Sequence, residues 1–322
     1  DNPESGAWLE AQAAGGSGAA ARVLGARALA AGDRERALVL YTDGAAKKDA
    51  QSAWKVCELK GSAEPLAIAD LWLAAAGGGA RESAAMLDAL APAIIAGGTS
   101  AQQADLAKLL TNGKAGRIDM LLARSALENA VKADPTIEAA LAAHYMSHSP
   151  TREGDAARIM AKLAAAGDVT QAVALGELIA RVSDQPVESK EVLDAIGAND
   201  GPTEAKRLWT EAANKGNAQA MFNLGWQAHD GWGTAADSNA AKSWWKQAAE
   251  RGNPRAMYRV GLLLAGSTSA QDRLDGVFWL RLAASRGAVG AQRAADRASF
   301  SLSYAEQDTI DTRLTEWKPV TP

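Results

Sequence analysis

The chain has 322 residues, of which 48% are hydrophobic but only 5% aromatic, and it carries a formal net charge of −4. Much of the hydrophobic fraction is alanine, which lets helices approach closely and favours an all-helical stack. The negative charge argues against a nucleic-acid partner, and no apolar stretch in the sequence is long enough to span a bilayer.

Residues 1–182 are predicted to form a degenerate helical-repeat region. Two of its segments, Gly16–Gly25 and Gly167–Gly176, share the spacing of a glycine and a later Leu-Gly pair. Glycine or proline interrupts the helical pattern between them, at residues 77–79, 97–98, 113–116 and 134–135. No segment alternates with a convincing period of two, so no sheet is expected.

Residues 183–202 carry the weakest helical pattern, with breaks around Pro186 and Pro202. They are predicted to connect the degenerate region to a more regular one at residues 203–322. The alternative is an ordinary inter-helix connection within one continuous solenoid.

The C-terminal region contains a repeat. The segment Glu211–Gly225 recurs 36 positions later as Gln247–Gly261, and a third copy begins at Leu282. A period near 36 with small residues at fixed places indicates stacked helical hairpins. The sequence therefore predicts an all-α fold: a right-handed superhelical solenoid of about seven to nine hairpins.

The repeat carries start and stop signals for its helices. Gly216 and Gly252 fit the left-handed position that ends a helix, and Asn217 and Asn253 are N-caps for the next one. Pro254 then takes the first helical position, where its missing N–H costs nothing. The first helix of the complete repeat is expected from about residue 218 to about residue 228.

The second helix of each hairpin is predicted to start at Asp237 and, 35 residues later, at Asp272, with each Asp as N-cap. Ser303 and Glu306 form a capping box for a last helix that ends near Trp317. Four alanines are predicted to be close-contact positions between helices: Ala220, Ala248, Ala256 and Ala283.

These residues resemble the Sel1-like repeat, a member of the tetratricopeptide class. The match consists of Leu224-Gly225, Gly231, Gly233, Asp237, Ala241, Trp244-Trp245, Ala248-Ala249 and Gly252-Asn253. The resemblance implies a non-catalytic scaffold or adaptor that presents a concave groove to a protein partner. It is specific over about residues 203–297, whereas the N-terminal half lacks the Gly-x-Gly turn.

A degenerate Ala-rich set of repeats followed by a more regular one also resembles, in outline, the periplasmic scaffold lipoproteins of alginate secretion. This resemblance implies a periplasmic or envelope location and a role in envelope assembly or exopolysaccharide secretion. The alternative location is cytoplasmic.

In the tetratricopeptide hairpins that this repeat resembles, the ligand-facing side chains lie on the first helix. If positions are counted so that the Leu-Gly pair is at places seven and eight, these side chains are at places two, five and nine. These positions are Gln219, Phe222, Trp226, Arg255, Tyr258 and Leu262. Aromatic residues and arginine dominate protein interfaces, which favours these positions as a partner-binding surface. The alternative is that the aromatic side chains fill the interior of the superhelix.

No catalytic, cofactor-binding or metal site is predicted. Cys57 is the only cysteine and is interpreted as a small buried hydrophobe. His144 and His148 have the spacing for one helical face, but they are interpreted as histidines at a helix C-terminus rather than metal ligands. Two alternatives to a scaffold remain: a hydrolytic or carbohydrate-modifying enzyme with paired carboxylates of raised pKa, and a glycan-binding protein whose exposed tryptophans stack on sugars.

Overall fold

The computed structural model describes residues 3–147, 152–300 and 302–320. Over these ranges the regular structure is entirely helical, with nineteen α-helices and three short 3₁₀ helices, which confirms the predicted all-α repeat fold. The chain divides into two compact units, Asp1–Thr151 and Arg152–Pro322. None of the helices in the described ranges is both long and apolar enough to cross a membrane.

In its described residues the first unit has nine α-helices, most of which pack on the next helix along the chain. Its 3₁₀ helices are Pro65–Ile68, Arg81–Met86 and Pro135–Ile137. The α-helices are α1 (Pro3–Ala14), α2 (Gly18–Ala30), α3 (Arg34–Ala46), α4 (Ala50–Lys60), α5 (Ala69–Gly77), α6 (Leu87–Gly97), α7 (Ser100–Thr111), α8 (Met120–Ala133) and α9 (Glu138–Ser147).

The second unit contains the regular repeats, and its helices form successive antiparallel hairpins: α14 packs on α15, and α16 on α17. The helices are α10 (Glu153–Ala165), α11 (Val169–Arg181), α12 (Pro186–Ile196), α13 (Gly201–Asn214), α14 (Ala218–Asp230), α15 (Ser238–Glu250), α16 (Pro254–Ala265), α17 (Ala270–Ser285), α18 (Ala291–Ser299) and α19 (Tyr304–Glu316).

Helix α12 is an insertion within a hairpin. Helix α11 packs mainly on α13, the helix after next, while α12 packs on α10 instead. The segment 183–202, predicted as a connection, therefore contains a helix, and the boundary between the compact units lies at residues 151 and 152.

The predicted corners between repeats are confirmed. Gly216, Gly252 and Gly287 have φ values of 83°, 94° and 78°, the left-handed region that glycine enters at low cost. The side chains of Asn217 and Asn253 each accept a hydrogen bond of 2.9 Å from a backbone N–H in the first turn of the next helix. Each repeat thus ends one helix and starts the next within two residues.

The glycine of each Leu-Gly pair lies against a large side chain of the partner helix. A Cβ atom added to Gly225 would overlap the indole of Trp245, and one added to Gly176 would overlap the indole of Trp209. The same contact joins Gly261 to Leu280 in the last repeat, and Gly25 to Tyr41 in the first unit. The degenerate copies at Gly16–Gly25 and Gly167–Gly176 therefore pack as the regular repeat does.

The four alanines predicted as close contacts, Ala220, Ala248, Ala256 and Ala283, are completely buried. The predicted capping box is also confirmed, since Ser303 accepts from the N–H of Glu306 and the Glu306 carboxylate accepts from the N–H of Ser303. Helices in this unit therefore meet through small side chains, with polar caps at their ends.

The predicted N-cap at Asp272 is wrong. Helix α17 begins one turn earlier, because the Ser269 hydroxyl accepts a hydrogen bond from the Asp272 N–H. The Asp272 carboxylate accepts instead from the hydroxyl of Ser267, at 2.7 Å. Asp237 does cap α15, as predicted, by accepting from the N–H groups of Asn239 and Ala240.

Cys57 is completely buried in the first unit, as predicted. Its thiol lies 3.9 Å from the carbonyl oxygen of Ile68, and burial raises its pKa to about 11. A thiol with this pKa is almost entirely protonated near neutral pH, and the protonated form is a poor nucleophile.

We expect Cys57 of the native protein to react with a disulfide reagent such as DTNB far more slowly than Cys57 of the urea-unfolded chain. Burial and the raised pKa both suppress thiolate attack. The reaction is followed by absorbance at mildly alkaline pH, with Cys57→Ser as the blank. Equal rates in the two states would contradict the buried position.

Gly225→Ala is expected to lower the urea midpoint of unfolding. The added methyl group overlaps Trp245, and overpacking of this kind costs about 1–3 kcal/mol. This outweighs the gain of about 1 kcal/mol in helix propensity from glycine to alanine. The matched control is Gly6→Ala in α1, where the nearest atom lies 4.0 Å away. A midpoint for Gly225→Ala at or above that of the parent would show that the hairpin does not need the close contact.

Candidate partner-binding groove

The second unit contains a cavity of about 760 Å³, called the groove below. It lies along α11, α14 and α16, which are the first helices of three successive hairpins, and it reaches the turn after α17. Its lining residues are Glu177, Gln219, Phe222, Asn253, Pro254, Arg255, Tyr258, Arg259, Arg286, Gly287, Ala288 and Val289.

The repeat itself brings these side chains together. Residues three apart on a helix share one face, so Gln219 and Phe222 of α14 point the same way. Arg255 and Tyr258 occupy the same two places on α16, one repeat further on. Because the capped corners start both helices at equivalent positions, the four side chains border one cavity.

One end of the groove is held by a network of side-chain amides around Glu177. Its Oε1 atom accepts from Nε2 of Gln219 at 3.1 Å and from Nδ2 of Asn223 at 3.0 Å. Nε2 of Gln219 also donates to Oδ1 of Asn223 at 2.9 Å, and Nδ2 of Asn253 donates to Oε1 of Gln219 at 3.1 Å. The network links α11, α14 and the start of α16, and it fixes the orientation of these amides.

The rest of the groove is cationic. Arg255, Arg259 and Arg286 line it, and within the described part of the chain none of the three forms an ion pair. The guanidinium carbon of Arg259 lies 5.6 Å from the ring centroid of Trp245, and that of Arg286 lies 4.7 Å from the ring centroid of Trp317. Cation–π contacts of this kind hold a guanidinium in place without neutralising it.

Apolar groups complete the lining. Phe222 and Tyr258 are half-buried, whereas Val289, in the turn before α18, is 94% exposed. An exposed valine beside two aromatic rings gives the groove an apolar strip next to its arginines. The groove therefore combines a fixed amide network, unpaired positive charge and apolar surface.

Four of the six predicted partner-binding residues line this groove: Gln219, Phe222, Arg255 and Tyr258. The other two do not. The ring of Trp226 lies 5.7 Å from that of Trp232, which the turn after α14 folds back beside it. Leu262 lies on α16 beside a separate cavity of about 390 Å³. Both occupy place nine of the motif, one helical turn beyond the residues of α14 and α16 that line the groove.

Three charged residues that line the groove were not predicted from the sequence: Glu177, Arg259 and Arg286. Glu177 does stand at place nine of the degenerate copy, directly after Gly176, so the motif contained a signal for it. Arg286 precedes the corner residue Gly287, just as a basic residue precedes each of the two earlier corners. Basic residues at a fixed place in the repeat are a signal that identifies a cationic edge.

Trp226 and Trp232 bear on the glycan-binding alternative. Trp232 contacts Trp226 and also Trp209, with ring centroids 6.1 Å apart in the second pair. Trp226 and Trp232 are both half-buried. Part of each ring surface is therefore covered by a neighbouring tryptophan.

The structure also bears on metal and acid–base chemistry. Within the described ranges, no three His, Cys, Asp or Glu side chains are placed to hold a metal ion. His144 is buried near the end of α9 with Nε2 3.1 Å from the carbonyl oxygen of Met120, and His148 lies outside the described residues. Hydrogen bonds near helix starts lower the pKa of the carboxyl groups of Glu82, Asp134, Asp200 and Glu306.

Comparison with known proteins agrees with this architecture. The model of the Sel1 repeat matches residues 197–217, 218–253 and 254–287. Over these residues the chain is similar to the Sel1 repeat. The matched region includes α13 to α17, and with them most of the residues that line the groove. No curated protein matches the sequence.

Two similar solved structures extend the likeness beyond the matched repeats. A Sel1 repeat protein from Oxalobacter formigenes superimposes with a TM-score of 0.56 at 18% identity, over 98% of this chain and 88% of the other. The protein c5321, a protective antigen present in uropathogenic Escherichia coli strains and displaying an SLR fold, gives 0.53 at 20% identity, over 98% and 72%. At these identities the likeness establishes the fold.

Glu177→Ala is expected to destabilise the protein by about 1 kcal/mol, because it leaves the buried amide of Asn223 without one acceptor. Glu177→Gln keeps an acceptor oxygen at the same place, so its effect should be clearly smaller. Urea unfolding followed by circular dichroism measures both. If the two variants are equally stable, the network does not depend on the Glu177 oxygen.

Proposed function

We propose that this chain is a non-catalytic scaffold that holds a protein partner in the groove. Sel1 repeats generally mediate protein–protein interactions, which supports this class of function. The observation that carries the proposal is that residues at equivalent places of two successive repeats line one cavity.

The composition of the groove suits protein binding. Aromatic residues and arginine are enriched at interfaces and dominate their energetics, and Phe222, Tyr258 and Arg255 supply both kinds. The amide network around Glu177 and the stacked arginines are ordered before a partner arrives. Pre-ordered side chains lose less entropy on binding, which favours affinity.

We further propose that the chain works in the bacterial envelope, in the periplasm, during envelope assembly or exopolysaccharide secretion. The support is the arrangement of a degenerate helical region followed by regular repeats, which resembles that of alginate-secretion scaffolds. Osmotic-shock fractionation of the native host tests the location, and measurement of secreted polysaccharide after gene deletion tests the role. Recovery with cytoplasmic markers would contradict the location, and unchanged secretion would contradict the role.

Phe222→Ala and Tyr258→Ala are each expected to weaken partner binding by about 2 kcal/mol, the size of an interface hot spot. Both side chains are only half-buried, so the helical signal in circular dichroism should persist. The partner is first captured from host extract by crosslinking and purified, and its affinity is then measured by calorimetry.

The matched control is Tyr304→Ala on α19, which removes a tyrosine that is 93% exposed and does not line the groove. It should bind the partner as the parent does. If the two groove variants also keep parental affinity, the partner binds elsewhere on the chain.

A further inference from the structure

We infer that the groove binds an extended peptide segment whose acidic side chains flank an apolar one. This inference rests on the proposed function and adds the chemistry of the partner. It follows from charge, from the positions of the arginines and from the apolar strip beside them.

The charge of the groove is unbalanced. Three arginines line it against a single carboxylate, that of Glu177. That carboxylate already accepts from Gln219 and Asn223, so it does not neutralise a guanidinium. A site with uncompensated positive charge attracts negative ligands and disfavours basic ones.

The three arginines are positioned to bind carboxylates. Arg259 and Arg286 lie over indole rings, which orders them while their N–H groups stay available as donors. Arg255, on the exposed side of α16, is free to follow a ligand. A guanidinium binds a carboxylate through paired hydrogen bonds, which gives specificity in addition to charge attraction.

The apolar strip favours a peptide over other polyanions. Phe222, Tyr258 and Val289 line the same cavity as the arginines. Successive side chains of an extended peptide point to opposite sides, so one segment can offer acidic groups to the arginines and an apolar group to this strip. Nucleic acid offers phosphates along its whole length, and the net charge of −4 on the chain disfavours a long polyanion. An acidic peptide matches both parts of the lining.

The test is a selection of random peptides displayed on phage against the full chain. Phage that also bind a variant with Arg255→Gln, Arg259→Gln and Arg286→Gln are then removed, so that the retained peptides depend on these arginines. We expect the retained peptides to be enriched in Asp and Glu around an apolar residue. A retained peptide is then synthesised with a fluorescent label, together with a copy in which Asn and Gln replace Asp and Glu.

In fluorescence anisotropy, the acidic peptide should bind at least roughly tenfold more tightly than its amide copy, and higher salt should weaken it. Arg255→Gln should also weaken binding roughly tenfold. The control Arg293→Gln, which removes the same charge from an exposed position on α18 outside the groove, should have little effect.

Three results would overturn the inference. If selected peptides lack acidic residues but lose binding in Phe222→Ala or Tyr258→Ala, the proposed scaffold function stands and the acidic preference is wrong. If a polyuronate or an oligonucleotide competes more strongly than the peptide in an arginine-dependent way, the occupant is a different polyanion. If no peptide depends on any groove residue, both the inference and the groove as a peptide site are wrong.

Discussion

The contact between a glycine on the first helix of a hairpin and a large side chain on the second sets the geometry of the whole array. At Gly225 and Gly176 the partner is an indole that occupies the space of the missing side chain. Because the ring fits only where no Cβ exists, it fixes both the distance and the axial register of the two helices. The capped corners then start the first helices of successive hairpins at equivalent positions, so that Gln219 and Phe222 of α14 border the same groove as Arg255 and Tyr258 of α16.

The regular repeats were predictable because their signals are local. A corner glycine followed by an asparagine cap defines a helix boundary from two adjacent residues, and Gly216-Asn217 and Gly252-Asn253 both have this form. The N-cap of α17 was not predicted correctly, because Ser269 competes with Asp272 and lies one turn earlier. Where two good capping residues lie within one turn, the sequence alone does not select between them.

Only part of the groove was predicted from the sequence: four lining residues of α14 and α16 were named, whereas Glu177 of α11 and Arg259 of α16 were missed. Gln219, Phe222, Arg255 and Tyr258 were implied by the resemblance to tetratricopeptide hairpins, which places them on one face of the first helix of each hairpin. Trp226 does not join them, because the following turn brings Trp232 against it, and the path of a turn is not encoded by periodicity. Arg286 and Val289 were missed for the same reason, since both lie in the turn between α17 and α18.

Charge sets the groove apart from the chain as a whole. The chain is slightly acidic, with a net charge of −4, yet three arginines that form no ion pair within the described residues meet at one cavity. Two of them lie over indole rings, which orders them without neutralising them. Their positive charge is therefore available to a negatively charged ligand.

The insertion of α12 shows what defines a repeat in this protein. Gly176 meets Trp209 across an entire additional helix, whereas Gly225 meets Trp245 across a short turn, and the two contacts are the same. The axial register of the two helices is therefore set by the fit of the glycine against the large side chain. It does not depend on how many residues connect the helices. New segments can therefore be inserted at hairpin tips without changing how the two helices pack. A search for repeats at a fixed sequence period fails wherever such an insertion lengthens a repeat.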